Sequence, residues 1–231
     1  MQPEVDAVDL NVRLAARAMG RHGLAHAYGH VSARLDEERL RVCPPVPMIT
    51  VAPGAPGVTV IIDQPLPDGV LPEVRMHQAI YRARPDVGGI CRVQPPAVLA
   101  LSALGKTPRV LSGLGAYFWP APALWESTAL VRDDASATAV AAALGDGAAI
   151  VLRGNGAVVV GPDIRTAAAL AFFLEDAART ELAILPARAA GIQPLEYSAE
   201  EAAARAIRTG GLFERMWHFL CFGDPECRQD S

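Results

Sequence analysis

The stretch PEVRMHQAIYRARPDVGGICRVQPPAV, residues 72–98, runs from helix to strand to helix. Pro72 predicts a helix start, because proline in the first turn forfeits no hydrogen bond. That helix reaches about position 84, where Pro85 ends it. Residues 87–93 are apolar and bounded by punctuating residues, the pattern of a buried strand. A second helix is predicted from about 96 to 104. Arg92 and Gln94 stand two apart at the end of the strand, so their side chains share one face. A guanidinium beside an amide at the end of an apolar strand marks a candidate site.

Outward from this stretch, the chain alternates helices with short strands. Apolar Val5, Val8, Val12, Leu14, Ala15, Ala18 and Met19 recur at helical spacing over 4–22, with Gly23 as a stop. Short strands are predicted at 29–35, 39–44, 48–53 and 58–63, separated by Pro and Gly that suggest antiparallel links. Residues 107–130 read as a packed loop, with the aromatic run 116–120 inside it. Asp133 or Asp134 can cap a following helix, and Asp163 caps a long one over 163–187. The apolar pair of strands over 148–161 turns at Arg153–Gly154–Asn155–Gly156, a hairpin signal. A last helical region covers 199–221. These elements predict an α/β sandwich with an antiparallel or mixed central sheet.

The 231 residues suit one compact domain. Hydrophobic residues at 51% against 20% charged exclude global disorder. Net charge is −4 and no Lys/Arg cluster occurs, which argues against nucleic acid as a partner. No apolar run reaches the roughly 18 residues of a membrane span. The four cysteines Cys43, Cys91, Cys221 and Cys227 form no C-x-x-C pair, and the start of the chain is acidic. Reduced thiols and cytoplasmic residence are therefore expected. Cys91 points to the face opposite Arg92 and is expected to be a buried, inert thiol.

The order AYGHVSARL (27–35), then the stretch quoted above continued to 102, then IVLRGNGAVVVGPDIRTAAALAFFLEDAAR (150–179) resembles the class II aldolase/adducin family. The resemblance covers about residues 8–185, and 186–231 would be a variable helical tail to the same single domain, 1–231. It implies a three-layer α/β/α fold, mostly antiparallel, and a homo-oligomer, commonly a tetramer, acting on a small anionic molecule. It also implies a divalent metal on three histidines, two from an H-x-H after the R-P-D-V block and one from an R-x-H-G turn, with a glutamate as acid/base. Carried across, Glu73 matches the glutamate, while Arg92, Gln94 and Asn155 occupy the three histidine positions. Neither a guanidinium nor a carboxamide is a good zinc ligand, so no divalent cofactor is expected.

Two functional readings follow. In the first, Glu73, Arg92 and Asn155 carry a metal-free lyase reaction, a decarboxylation or retro-aldol cleavage of an oxo-, hydroxy- or aromatic acid. Arg92 would then stand in for the Lewis acid. Gly29, His30, Ser32, Thr50 and Gln94 would bind the substrate. In the second, the fold persists as a ligand-binding or scaffold module. A relocated metal would have to use Glu73 with His26, His30 or His77. Departures from the sugar-phosphate pattern (His30 after the glycine, no serine after Thr50, Pro72 before Glu73) point to a carboxylate or aromatic acid. Trp217, His218 and Phe219 either close the site or simply lie on an amphipathic helix.

Overall fold

The computed structural model describes residues 3–227, with side chains from residue 7 onward; Val5 contributes backbone only, and 1–2 and 228–231 lie outside the described residues. Its centre is a seven-stranded sheet in the order β3-β2-β1-β4-β7-β6-β5. The strands are β1 (His30–Arg34), β2 (Arg39–Val42), β3 (Val58–Ile61), β4 (Gly89–Val93), β5 (Ala123–Trp125), β6 (Ala149–Leu152) and β7 (Gly156–Gly161). Every pairing is antiparallel except β5 with β6, which is parallel. The mixed sheet expected from the short, turn-linked strands is thus present.

Side chains alternate across this sheet, and each face is covered by helices. Val31, Cys91, Val93, Val151 and Val159 pack with α1 (Pro3–Arg21), α3 (Pro96–Ala103), α5 (Ile164–Ala189) and α7 (Leu212–Cys221). Ile90, Val158, Val160, Ile150 and Leu152 pack with α2 (Arg75–Ala83) and α4 (Asp134–Leu144). Three layers result. By the same parity Arg92 lies on the face of Ile90, toward α2 and α4, while Cys91 is buried on the other face. Burial raises the Cys91 thiol, and the neighbouring Cys43 adds to the rise, as expected of an inert cysteine.

The predicted caps hold. Asp133 accepts from Ser136 N and Asp163 from Thr166 N. Helix α3 begins with two prolines and no cap of its own, and the buried Glu175 carboxylate of α5 accepts from Ala97 N and Val98 N instead.

The structure corrects three expectations. Residues 48–53 form no strand: Met48–Thr50 is a 3₁₀ turn between Pro47 and Pro53, because prolines cannot feed a ladder and buried Met48 pins the turn inward. The region 199–221 is two helices, α6 (Ala199–Arg205) and α7, split by Gly210 and Gly211 at φ 79° and 72°. The loop 107–130 contains the edge strand β5, too short to show alternation in sequence. Its Tyr117 and Phe118 are buried, with Tyr117 against Phe173 and Phe213, while Trp119 is exposed; none of the three lies on the wall of the cavity described below.

Candidate functional site

Where β4 ends, a cavity of about 510 Å³ opens on the α2/α4 face. Four polar residues of its wall come from different parts of the chain: Glu73 before α2, Arg92 on β4, Gln94 just after it, and Asn155 in the β6–β7 hairpin. Each arrives by local rules. Arg92 faces this side by strand parity, and the tight Arg153–Gly156 turn carries Asn155 to the end of the neighbouring strand β7. Gly29 brings the turn before β1 onto the same end. A Cβ there would lie 2.9 Å from Arg92 O and 2.8 Å from Met48 Cε, at φ 146°, so only glycine fits.

The polar groups are tied together. Arg92 Nη2 donates to Asn155 Oδ1 at 2.7 Å, and Gln94 Nε2 donates to the same oxygen at 3.2 Å. Burial pulls Arg92 below the usual guanidinium range, while the Glu73 carboxylate pushes it back up. Glu73 is half-buried and pairs with Arg132, whose Nε donates to Oε1 at 2.7 Å. Arg132 was not among the expected residues. It lies 59 positions from Glu73, beside the cap Asp133, and no spacing rule connects the two. Pro45, Val46, Pro47, Leu71 and Leu130 supply apolar wall.

His30 is buried and lines the cavity. Its Nδ1 is 2.9 Å from His77 Nε2, and His77 Nδ1 is 2.6 Å from Ser32 Oγ. Burial, then His77 and Arg92, hold His30 well below the ordinary imidazole range. Burial and Arg92 take His77 to about 3. Ser32 and Thr50 are not brought to the cavity wall. Ser32 is fully buried between His77 and Tyr81, and the Thr50 hydroxyl donates to Pro47 O within its own exposed turn. His26 is exposed and off the cavity wall. Trp217 packs in the core across the sheet from the cavity, on the helix α7 that also carries His218 and the exposed Phe219.

The resemblance implies a divalent metal among Arg92, Gln94 and Asn155, and the residues do not fit one. The guanidinium has no lone pair. The Asn155 oxygen already receives two hydrogen bonds, and Gln94 adds only a second neutral amide oxygen, a weak ligand for zinc. No group of three or more His, Cys, Asp or Glu able to hold a metal occurs among the described residues. His77 in particular has both ring nitrogens engaged. The arrangement offers a fixed cation, carboxamides and a carboxylate around one space, the equipment for binding an anion and moving a proton beside it.

Comparison with known proteins agrees with this architecture. The profile of the class II aldolase and adducin N-terminal domain matches residues 11–182. A 3,4-dihydroxyphthalate decarboxylase of Terrabacter sp. (strain DBF63) is 31% identical over 211 residues, covering 82% of this chain and 85% of that protein. One from Arthrobacter keyseri is 30% identical over 166 residues, covering 63% and 65%. Among solved structures, an aldolase II superfamily protein from Pseudomonas syringae superposes with a TM-score of 0.80 at 22% identity, covering 95% of this chain and 92% of that one. The L-fuculose-1-phosphate aldolase of Thermus thermophilus gives 0.71 at 24% identity, covering 83% and 100%. With a profile match spanning most of its length, the chain belongs to the class II aldolase and adducin family.

Proposed function

We propose that the protein is a carbon–carbon lyase of the decarboxylase type, acting on a small hydroxylated aromatic acid without a divalent metal. The observation that carries this reading is the convergence of Glu73, Arg92, Gln94 and Asn155 on one cavity with the Asn155 oxygen already spent on Arg92. The named activity of the relatives, 3,4-dihydroxyphthalate decarboxylation, supports the substrate class. A two-arginine cavity with an apolar wall suits a flat polyanion.

In this mechanism the Glu73 carboxylate first takes the proton of a ring hydroxyl conjugated with the departing carboxylate, then passes it to the ring carbon that bears that carboxylate and is ionised again; the phenolate left at the end regains its proton from solvent. The C–C bond then breaks, its electron pair returns to the ring, and carbon dioxide leaves. One proton is consumed and one C–H bond replaces one C–C bond. Charge that builds on the conjugated oxygen is met by the Arg92 guanidinium, which Asn155 holds in orientation, and by the Gln94 amide. Arg132 pairs with the Glu73 carboxylate at the rim and keeps it beside the cavity. Cytoplasmic residence and a homo-oligomer, a tetramer by analogy with the family, belong to the same proposal. No helix among the described residues is long and apolar enough to cross a membrane.

The test is to incubate the purified full-length chain with 3,4-dihydroxyphthalate and follow carbon dioxide and the dihydroxybenzoate product by mass spectrometry, with and without chelator. Turnover that resists the chelator is expected. Loss on chelation with recovery on zinc refutes metal independence. Binding of the acid with no product moves the assignment to a ligand-binding module.

A further inference from the structure

Two side chains in the cavity wall carry a buried nitrogen with no hydrogen-bond partner among the described residues: His30 Nε2 and Arg92 Nε. They are 62 positions apart in the chain, yet they are one cross-strand pair, because β1 and β4 set His30 opposite Arg92. Directly opposed residues have Cβ atoms about 5 Å apart on the same sheet face. Buried polar atoms are almost always partnered, so two orphans on one pair imply a partner that arrives from outside.

The chemistry of that partner follows from the polarity of the chain behind His30. The Ser32 Oγ to His77 Nδ1 separation is 2.6 Å. That is short for an N–H donor and ordinary for an O–H donor, so Ser32 donates. Tyr81 OH lies 3.0 Å from Ser32 Oγ and 3.1 Å from the Ser32 carbonyl oxygen; with its one hydrogen directed to Oγ, the serine proton is free for His77. His77 accepts at Nδ1 and, being neutral, carries its hydrogen on Nε2, which it donates to His30 Nδ1 at 2.9 Å. His30, also neutral, then carries its hydrogen on Nε2. Both orphans are therefore donors, one of them on a cation. Burial agrees with neutral rings, since it holds both imidazoles well below their ordinary range.

We propose that Tyr81, Ser32 and His77 fix His30 as an Nε2–H donor, so that His30 and Arg92 form a paired binding site for a carboxylate of the substrate. This deepens the proposed function, and rests on it for the substrate class. A substrate with two neighbouring carboxylates would keep one on this pair while the other is lost beside Glu73. His77, Ser32 and Tyr81 are positioning residues that act through His30.

Phthalate, a vicinal dicarboxylate with no hydroxyl to drive decarboxylation, separates the two claims. The full-length chain labelled with ¹⁵N-histidine is titrated with phthalate, reading affinity by calorimetry and the His30 tautomer by NMR. Phthalate is expected to bind with His30 in the Nε2–H form. His30→Leu should weaken binding about tenfold or more, and His30→Gln, which keeps an N–H donor, should stay within about threefold, as one hydrogen bond to a charged partner predicts. Ser32→Ala should shift His30 toward the Nδ1–H form and weaken phthalate in parallel. Failure of the wild type to bind phthalate, a bound Nδ1–H tautomer, or His30→Leu binding as well as wild type each overturns the proposal. If His30→Leu does not fold, the wild-type tautomer decides. Phthalate bound through His30 with no turnover of the dihydroxy acid removes the lyase activity and leaves this pair. Turnover indifferent to His30→Leu removes the pair and leaves the activity.

Discussion

Two arginines in this molecule are equally buried and opposite in character. Arg17 and Arg92 are each 5% exposed. Arg17, on α1, donates Nε and Nη2 to the two oxygens of Asp224, Nη2 again to Glu226, and Nη1 to Val51 O. Its charge is neutralised and its fork is filled. Among the described residues the Arg92 side chain donates to one amide carbonyl oxygen, and its Nε has no partner. The first arrangement closes a fold, fastening the segment after α7 to the first helix. The second leaves a cation with donors to spare at a cavity. Burial does not distinguish structure from function here; completeness of the hydrogen bonding does.

Breaking the filled arginine should have the largest effect. Arg17→Ala leaves the buried Asp224 to Arg21 and Glu226 to Arg13, and removing the central partner of this buried cluster costs up to about 3–5 kcal/mol. Urea denaturation should show that drop; a midpoint within error of wild type would make the cluster ornamental. Arg92→Met should do the reverse. Stability is held or raised, because an incompletely paired buried charge is removed. Turnover of 3,4-dihydroxyphthalate should fall about 100-fold or more, the usual loss on deleting a preorganised electrostatic group. Unchanged kinetics would end the role assigned to Arg92.

The pH dependence of stability sharpens the contrast. Burial would raise Asp224, but hydrogen bonds from Arg17, Glu226 N and Arg21 outweigh it and hold it at about 2. Arg13 and Arg17 hold Glu226 at about 2 against burial. A depressed carboxylate stabilises the fold above its unfolded value of about 4, and that contribution disappears as pH falls toward about 2. His30 and His77 act in a higher window. Their folded values lie below the unfolded one, so the unfolded chain takes up protons first, and stability declines as pH drops below about 6.5. Urea midpoints measured from pH 7 to 2 should show both declines, and His30→Gln should reduce the upper one alone. A flat profile between pH 6.5 and 4.5 would contradict neutral buried imidazoles.

Arg132→Ala should have the smallest effect on stability. Its side chain is 56% exposed, and exposed ion pairs contribute at most about 1 kcal/mol. A shift in urea midpoint larger than that would show that Arg132 does more than hold Glu73 at the rim.

Much of this was legible in residue order, and the limits are specific. The 2.0 and 3.6 periodicities located every strand from β1 to β4 and the main helices, because they depend on neighbours along the chain. They misread 48–53, where an apolar run between prolines looks like a strand until Met48 is seen to anchor a turn. They missed β5, which is a strand only because β6 lies beside it. At the site, the sequence named Arg92, Gln94, Asn155 and Glu73, and the fold brought them to one cavity. It also named Ser32 and Thr50 as substrate-binding residues, and neither lies on the cavity wall.

By itself, then, the order of residues determined the layers, the parity that turns Arg92 toward α2 and α4, and the placing of Gln94 and Asn155 at the ends of neighbouring strands. Only the tertiary structure decided which charges are satisfied. Asp224 reaches Arg17 across 207 positions, Arg132 reaches Glu73 across 59, and His77 reaches His30 across 47. Hydrogen bonding acts over about 3 Å of space whatever the separation in chain. Which donor is left without an acceptor is settled when layers stack, and not before.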